Sequence, residues 1–305
     1  MLIKRDITYG KGKKAFPVQT IAFFDLPALL STVALFDSHD SGGAKSYFNR
    51  TSNFTGASKT ATIEALTNGA PAAAVAKSDK MLADFEQVIR VETSRFETVN
   101  AVAGGVANVP AFLAGHPMAM RQRRRVDSAL GPLTVLVDVT TSAHISEQTI
   151  ERRGIAVLAL IRALAAVRPI DLHLVFAARA NNAEYEPRNV CFTVKLDSAP
   201  LDLGRACFAL TDPAMQRRIG FAMGADMGAW MENDMIRWIN DDFANAPKVS
   251  ADIAAEITGA INPLYLAPMY SERGDQPFAT QARALAWVKD MITEHGFSNA
   301  DSAAA

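Results

Sequence analysis

The chain of 305 residues has two cysteines, Cys191 and Cys207, and neither sits in a C-x-x-C or Cys/His cluster. That excludes a disulfide framework and a cysteine-built zinc site. The five histidines (His39, His116, His144, His173, His295) are scattered, which argues against a histidine-built zinc site as well. A charge excess of one sign is also missing. Lys and Arg number 31 and Asp and Glu 32, so long-range attraction to nucleic acid or anionic membrane is not built into the whole molecule. No apolar run reaches the ~18 residues of a membrane span; the nearest, residues 154–167, contains Arg162. The opening Met1-Leu2-Ile3-Lys4-Arg5-Asp6 lacks the apolar segment of a signal peptide. These absences predict a cytoplasmic protein without membrane or nucleic-acid partners. What is present is ordinary globular composition, 49% hydrophobic and 21% charged, enough to bury a core.

The organisation reads in two parts. Residues 1–128 predict a mixed, mainly helical region. Its helices are Leu26 to Phe36, a second capped by Ser58 and closed by Gly69, and an alanine-rich one from Pro71 to about Val88. A strand or broken strand is expected between Val88 and Val102, and a short helical turn over Val109 to Gly115, closed by that glycine. Residues 129–297 predict a Rossmann-like α/β domain with a mainly parallel sheet. Its strands are Leu133 to Val137, Ile170 to Ala177, Val190 to Leu196 and Ile261 to Leu266. Its helices run from Glu147 to Val167, Asp202 to Leu210, Ala214 to Met223 and Thr280 to His295. Residues 298–305 predict a frayed tail.

The chemistry-bearing segment is Val137-Asp138-Val139-Thr140-Thr141-Ser142. In an open parallel sheet, ligands bind at the carboxyl ends of strands, where loops enter the following helices. Asp138 falls at such an end, with Thr140 and Ser142 at alternate positions after it. One carboxylate and two hydroxyls at this spacing can converge on a small hard cation such as Mg²⁺. They can equally cap and hydrogen-bond a tight strand-to-helix turn.

Asp138-x-Thr140-x-Ser142, between an apolar strand and a long helix, resembles the Asp-x-Ser-x-Ser motif of the metal-ion-dependent adhesion site in von Willebrand A domains. The resemblance covers about 133–296 and has threonine in place of the first serine. It implies a Mg²⁺-bridged protein-binding domain, and many intracellular members of that family serve AAA+ ATPases of the MoxR or chelatase type. Departures are specific. Leu201 stands where the family has a threonine, leaving Asp202 as the substitute oxygen ligand, and the family's late aspartate has no clean counterpart. The wider pattern from Val109-Pro110-Ala111-Phe112-Leu113 through Asp138 to Pro200-Leu201-Asp202-Leu203 is also similar to an uncharacterised family of tailed phages and their hosts, which would place the protein in a host cytoplasm.

The expectation is therefore a non-catalytic binding or adaptor protein with metal ligands Asp138, Thr140, Ser142 and Asp202. The alternatives are a Mg²⁺-dependent phosphoryl-transfer or hydrolytic enzyme using Asp138, and a metal-free structural or assembly protein. A dehalogenase-like enzyme calls for a second acid two residues after the first, where Thr140 stands. Arg121-Gln122-Arg123-Arg124-Arg125 is the strongest charge run and reads as a solvated linker or a phosphate contact. The Met/Trp pattern over 223–238 reads as core or as an adaptable partner surface. Neither Gly104-Gly105 nor Ser41-Gly42-Gly43 continues into a phosphate-loop pattern.

Overall fold

Short apolar runs punctuated by Gly, Pro and Asp become strands in this chain, and the longer apolar periodicities become the helices that cover them. The computed structural model describes residues 2–9, 16–36, 57–69, 95–126, 132–141, 145–165, 168–182, 185–197, 201–220, 236–238, 247–269 and 276–295, with isolated positions at 76, 79, 80, 83 and 223. The elements in chain order begin with β1 (Leu2–Tyr9), β2 (Phe16–Asp25), α1 (Leu26–Phe36) and α2 (Lys59–Asn68). Next come β3 (Arg95–Ala101), β4 (Val106–Ala107), α3 (Val109–Leu113) and β5 (Met120–Val126). Then follow β6 (Leu133–Asp138), α4 (Glu147–Ala165), β7 (Ile170–Asn182), β8 (Tyr185–Leu196), α5 (Leu203–Thr211) and a π-helical turn, Met215–Gly220. The last are β9 (Ile236–Trp238), α6 (Pro247–Thr258), β10 (Leu264–Leu266) and α7 (Gln281–His295).

The main sheet has the order β1-β2-β8-β7-β6-β10, with β9 pairing β7. In its body, β2-β8-β7-β6-β10, three of the four pairings are parallel and β7-β8 is antiparallel. Only two residues separate β7 from β8 in sequence, too few for the crossover that parallel neighbours need, so these strands form a hairpin. The fold is thus α/β, a mostly parallel body flanked by helices.

The expected division at 128/129 does not divide this sheet. Both β1 and β2 belong to it, and β2 runs parallel to β8 from Thr20↔Val190 to Asp25↔Lys195. The strand signal of β2 lies in Val18, Ile21, Phe23 and Phe24, masked by the basic residues before it and by Pro17, which is tolerated so near a strand's start. The arginine run expected as a linker is strand β5, paired antiparallel with β3 in a separate three-stranded sheet, β3-β5-β4. Helix α6 lacks a counterpart among the expected elements. The alanine-rich stretch after Pro71, nearly all of the Met/Trp pattern and the tail 298–305 lie outside the described residues.

Helices α1, α2, α4, α5 and α7 share one core with the face of the sheet carrying Val135, Val137, Leu174 and Phe176. On the other face, Ile253 and Ala254 of α6 pack with Leu136, Val175, Ala177 and Cys191. Every residue of α4 from Ile155 to Ile161 is at most 1% exposed, because α5 and α7 pack against it in addition to the sheet. Each such large side chain contributes about 1.5–3 kcal/mol on burial.

Gly154 permits that crowding. A Cβ there would stand 2.2 Å from the Leu210 carbonyl oxygen of α5. Gly154→Ala is expected to destabilise the fold by about 1–3 kcal/mol through overpacking. Gly105→Ala, at a position with nothing within 4 Å, should stay within about 0.5 kcal/mol of wild type. Thermal denaturation of both variants measures the contrast, and equal losses would refute it.

Candidate functional site

Strand β6 passes through α4 to β7 on one side, and β10 later joins its other side in parallel. The strand order therefore reverses between β6 and β10, the position at which open α/β sheets form their ligand crevice, beyond the carboxyl ends of the strands. Val137 pairs with Leu266 there, and the chains stay together as far as the Thr141↔Met269 bridge.

Asp138 ends β6 at this point and is 1% exposed. Its Oδ1 accepts from the Thr140 backbone N–H at 3.0 Å and from the Thr140 hydroxyl, closing an Asx-type turn. Its Oδ2 accepts from the Tyr265 hydroxyl of β10 at 2.8 Å. Burial pushes the Asp138 carboxyl above the ordinary carboxylate range, opposed by the Thr140 and Tyr265 hydrogen bonds and by the nearby Arg153 guanidinium. Burial, and secondarily the charge of Asp138, pushes the Cys191 thiol up as well, which makes it inert as a nucleophile.

Arg153 of α4, itself 4% exposed, ties the two strand ends. Its Nη2 donates to the carbonyls of Asp138 and Ala267, both at 2.8 Å, and to that of Leu266 at 3.4 Å. Gln216, from the π-helical turn, holds the next loop residue. Its Oε1 accepts from the Thr141 N–H at 3.1 Å and hydroxyl at 2.5 Å, while its Nε2 donates to the Thr141 carbonyl at 3.1 Å. Two hollows adjoin Arg153. One of about 10 Å³, lined in part by Thr141, Asp212 and Gln216, has room for a water. The other, about 280 Å³, lies among Thr149, Met269, Gln276, Phe278 and Trp287. The last two rings meet edge to face at 5.0 Å, and Arg152 fixes that wall by donating to the carbonyls of Phe278 (2.7 Å) and Ala279 (3.0 Å).

Of the expected metal ligands, Asp138 and Thr140 come together, and Ser142, like His144, lies outside the described residues. Asp202 stands apart. It caps α5, accepting from the Arg205 N–H at 3.0 Å and pairing with the Arg205 guanidinium at 3.4 Å. It follows β8, whose last residue Leu196 pairs with Leu172, itself beside Val135, so β8 ends toward the amino end of β6 rather than at Asp138. Among the described residues no three His, Cys, Asp or Glu side chains group as a metal site. The donors described around Asp138 are already engaged within the fold. They amount to one carboxylate with both oxygens hydrogen-bonded and a guanidinium close by. The sequence reading missed Tyr265, Arg153 and Gln216. Arg153 left only a weak signal, one of four charges (with Glu147, Glu151 and Arg152) in the first two turns of a helix that is apolar beyond them.

A family model described as a domain of unknown function (DUF7192) matches residues 18–277. The chain belongs to that family. No curated protein and no solved structure matches it. The DUF7192 match starts within β2 and ends beyond β10, so it spans the expected 128/129 boundary and includes the whole Asp138 site.

Because the fold raises the Asp138 carboxyl, the stability linked to this group is present below its unfolded pKa and is lost as pH rises through its folded value. Asp138→Asn keeps the shape without the charge. It is expected to equal or exceed wild-type stability at neutral pH, with the difference narrowing as pH falls to the ordinary carboxylate range. Asp138→Ala leaves the buried donors of Thr140 and Tyr265 without their acceptor and should cost about 1–3 kcal/mol. Urea unfolding at a series of pH values checks both, and an Asn variant as damaged as the Ala variant would contradict the assignment.

Proposed function

We propose that this DUF7192 chain is a non-catalytic protein-binding domain of von Willebrand A-like build, whose partner face is formed by the carboxyl ends of β6 and β10. The observation that carries this reading is the position of the Asp138–Thr140 loop. It lies where the strand order reverses, between an apolar parallel strand and the 19-residue helix α4. The hydroxyls of Thr140 and Thr141 are engaged in hydrogen bonds within the fold, which supports docking over turnover. The same engagement supports direct contact with the partner over a Mg²⁺ bridge, with Asp138 shaping the loop from below. An AAA+ ATPase is the partner class that the von Willebrand A resemblance implies.

The test is affinity capture from native cell extract with the full chain as bait. A bait carrying Gln148→Arg and Ala267→Arg, both at exposed positions beside the loop, is compared with Asp138→Asn and with EDTA treatment. The rim variant should lose the partner, whereas Asp138→Asn and chelation should not. Capture indifferent to the rim substitutions refutes the face. Capture abolished by EDTA and by Asp138→Asn restores the metal-bridged version.

A further inference from the structure

Six of the seven large hydrophobic residues that stand exposed among the described residues fall within 102–118: Val102, Val106, Val109, Phe112, Leu113 and Met118. They belong to the small sheet and its connections, β3 to β5 with α3 between. In this stretch, Ala119 is the one buried hydrophobic among the residues whose burial is described. Phe112 and Leu113 are 70% and 79% exposed. A soluble monomer seldom concentrates apolar side chains in one uncovered segment.

The segment is nonetheless built, by hydrogen bonds rather than by burial. Its two longer strands, β3 and β5, pair over seven residues each, from Arg95↔Val126 to Ala101↔Met120. The Asn108 backbone N–H donates to the Ala119 carbonyl at 2.8 Å, while its side-chain oxygen caps α3 at Ala111. The Met118 N–H donates to His116 Nδ1 at 3.2 Å. Gly104 lies so close to β5 that a Cβ would stand 2.3 Å from the Arg121 carbonyl oxygen. A preformed shape with an uncovered apolar surface fits a docking arm, since little ordering remains to oppose association.

Charge selects the occupant. Residues 95–126 hold five arginines (Arg95, Arg121, Arg123, Arg124, Arg125) against one acid, Glu97, a net charge of +4. The whole chain carries −1, so the remainder carries −5. Two arms facing each other would bring like charges together, whereas an arm on the body of another copy brings opposite charges together. We infer that residues 95–126 form an arm that docks on the body of a second copy of this chain, through an apolar centre around Phe112 and Leu113 and a basic margin. Such contact is heterologous, so repetition of it closes a ring or extends a filament. The inference does not depend on the partner face proposed at β6 and β10.

The test uses the full chain in sedimentation velocity and light-scattering chromatography, across protein concentration and NaCl concentration. Wild type should form species larger than a monomer, with assembly weakened by salt as its electrostatic part is screened. The double variant Phe112→Asp, Leu113→Asp should be monomeric with an unchanged circular dichroism spectrum, since both side chains stand in solvent. Arg121→Glu should weaken assembly on the order of tenfold or more, the effect of about 1.4 kcal/mol. A wild-type chain that stays monomeric throughout overturns the inference, including one that is monomeric but carries bound nucleic acid. Assembly by the double variant as readily as by wild type overturns it as well.

Discussion

The Arg153 guanidinium connects what would otherwise be three separate pieces: the last carbonyl of β6, the last carbonyl of β10 with the one after it, and the second turn of α4. A short strand of three residues, β10, has few ladder hydrogen bonds of its own, so its position beside β6 depends on such outside support. A buried cation needs acceptors for its N–H groups, and the backbone carbonyls at the end of this parallel pair supply them. Each therefore satisfies the other. The Tyr265 hydroxyl reaches Asp138 only because β10 is held in this register, and the Thr140 turn closes on the same carboxylate.

Two carboxylates on the same sheet show how place decides chemistry. Asp171 and Asp138 lie at opposite ends of neighbouring parallel strands. Asp171 is about a third exposed and sits between Lys195 Nζ at 2.8 Å and His173 Nε2 at 3.0 Å. Burial raises its carboxyl, but those two partners outweigh it and hold the group below its ordinary range. Asp138 is fully enclosed, its direct partners are neutral donors, and burial wins. The same residue type is thus held charged at one end of the sheet by its neighbours and pushed toward its neutral form at the other by enclosure.

Legibility from the sequence follows the same division between local and distant causes. Strand β6, helix α4 and the capped helix α2 were readable because their signals are contiguous: an apolar run between Pro132 and Asp138, a long apolar pattern, and Ser58 with Gly69 at the two ends. The Ser58 hydroxyl does accept from the Ala61 N–H, and Gly69 does take a positive φ of 90°. Strand β2 was not readable as a member of the main sheet, because its neighbour β8 lies some 170 residues away and no local pattern announces a partner at that distance. The arginine run misled for a related reason. Charge suggests solvent, but an exposed strand can carry charge and still be held by its ladder to β3. At the site, the Asp-x-Thr spacing located the turn correctly. Gln216, 75 residues from the Thr141 backbone it binds, has no sequence signature. Asp202 came from the von Willebrand A resemblance, as the oxygen beside Leu201 at the family's threonine position, and the hairpin of β7 and β8 carries it toward the other end of the sheet.

The body and the arm of this chain hold their shapes by different means, and that difference has a functional consequence. In the body, helices cover both faces of the sheet and α4 is enclosed along two of its turns, so removing surface from water supplies most of the stabilisation. In residues 95–126 the large apolar side chains from Val102 to Met118 remain in water, and the hydrogen bonds that shape the segment each contribute only about 0.5–1.5 kcal/mol net. A small sheet of this kind draws its independent stability from a covered hydrophobic face. Any surface that covers Phe112 and Leu113 therefore adds stabilisation that the segment's own packing does not supply.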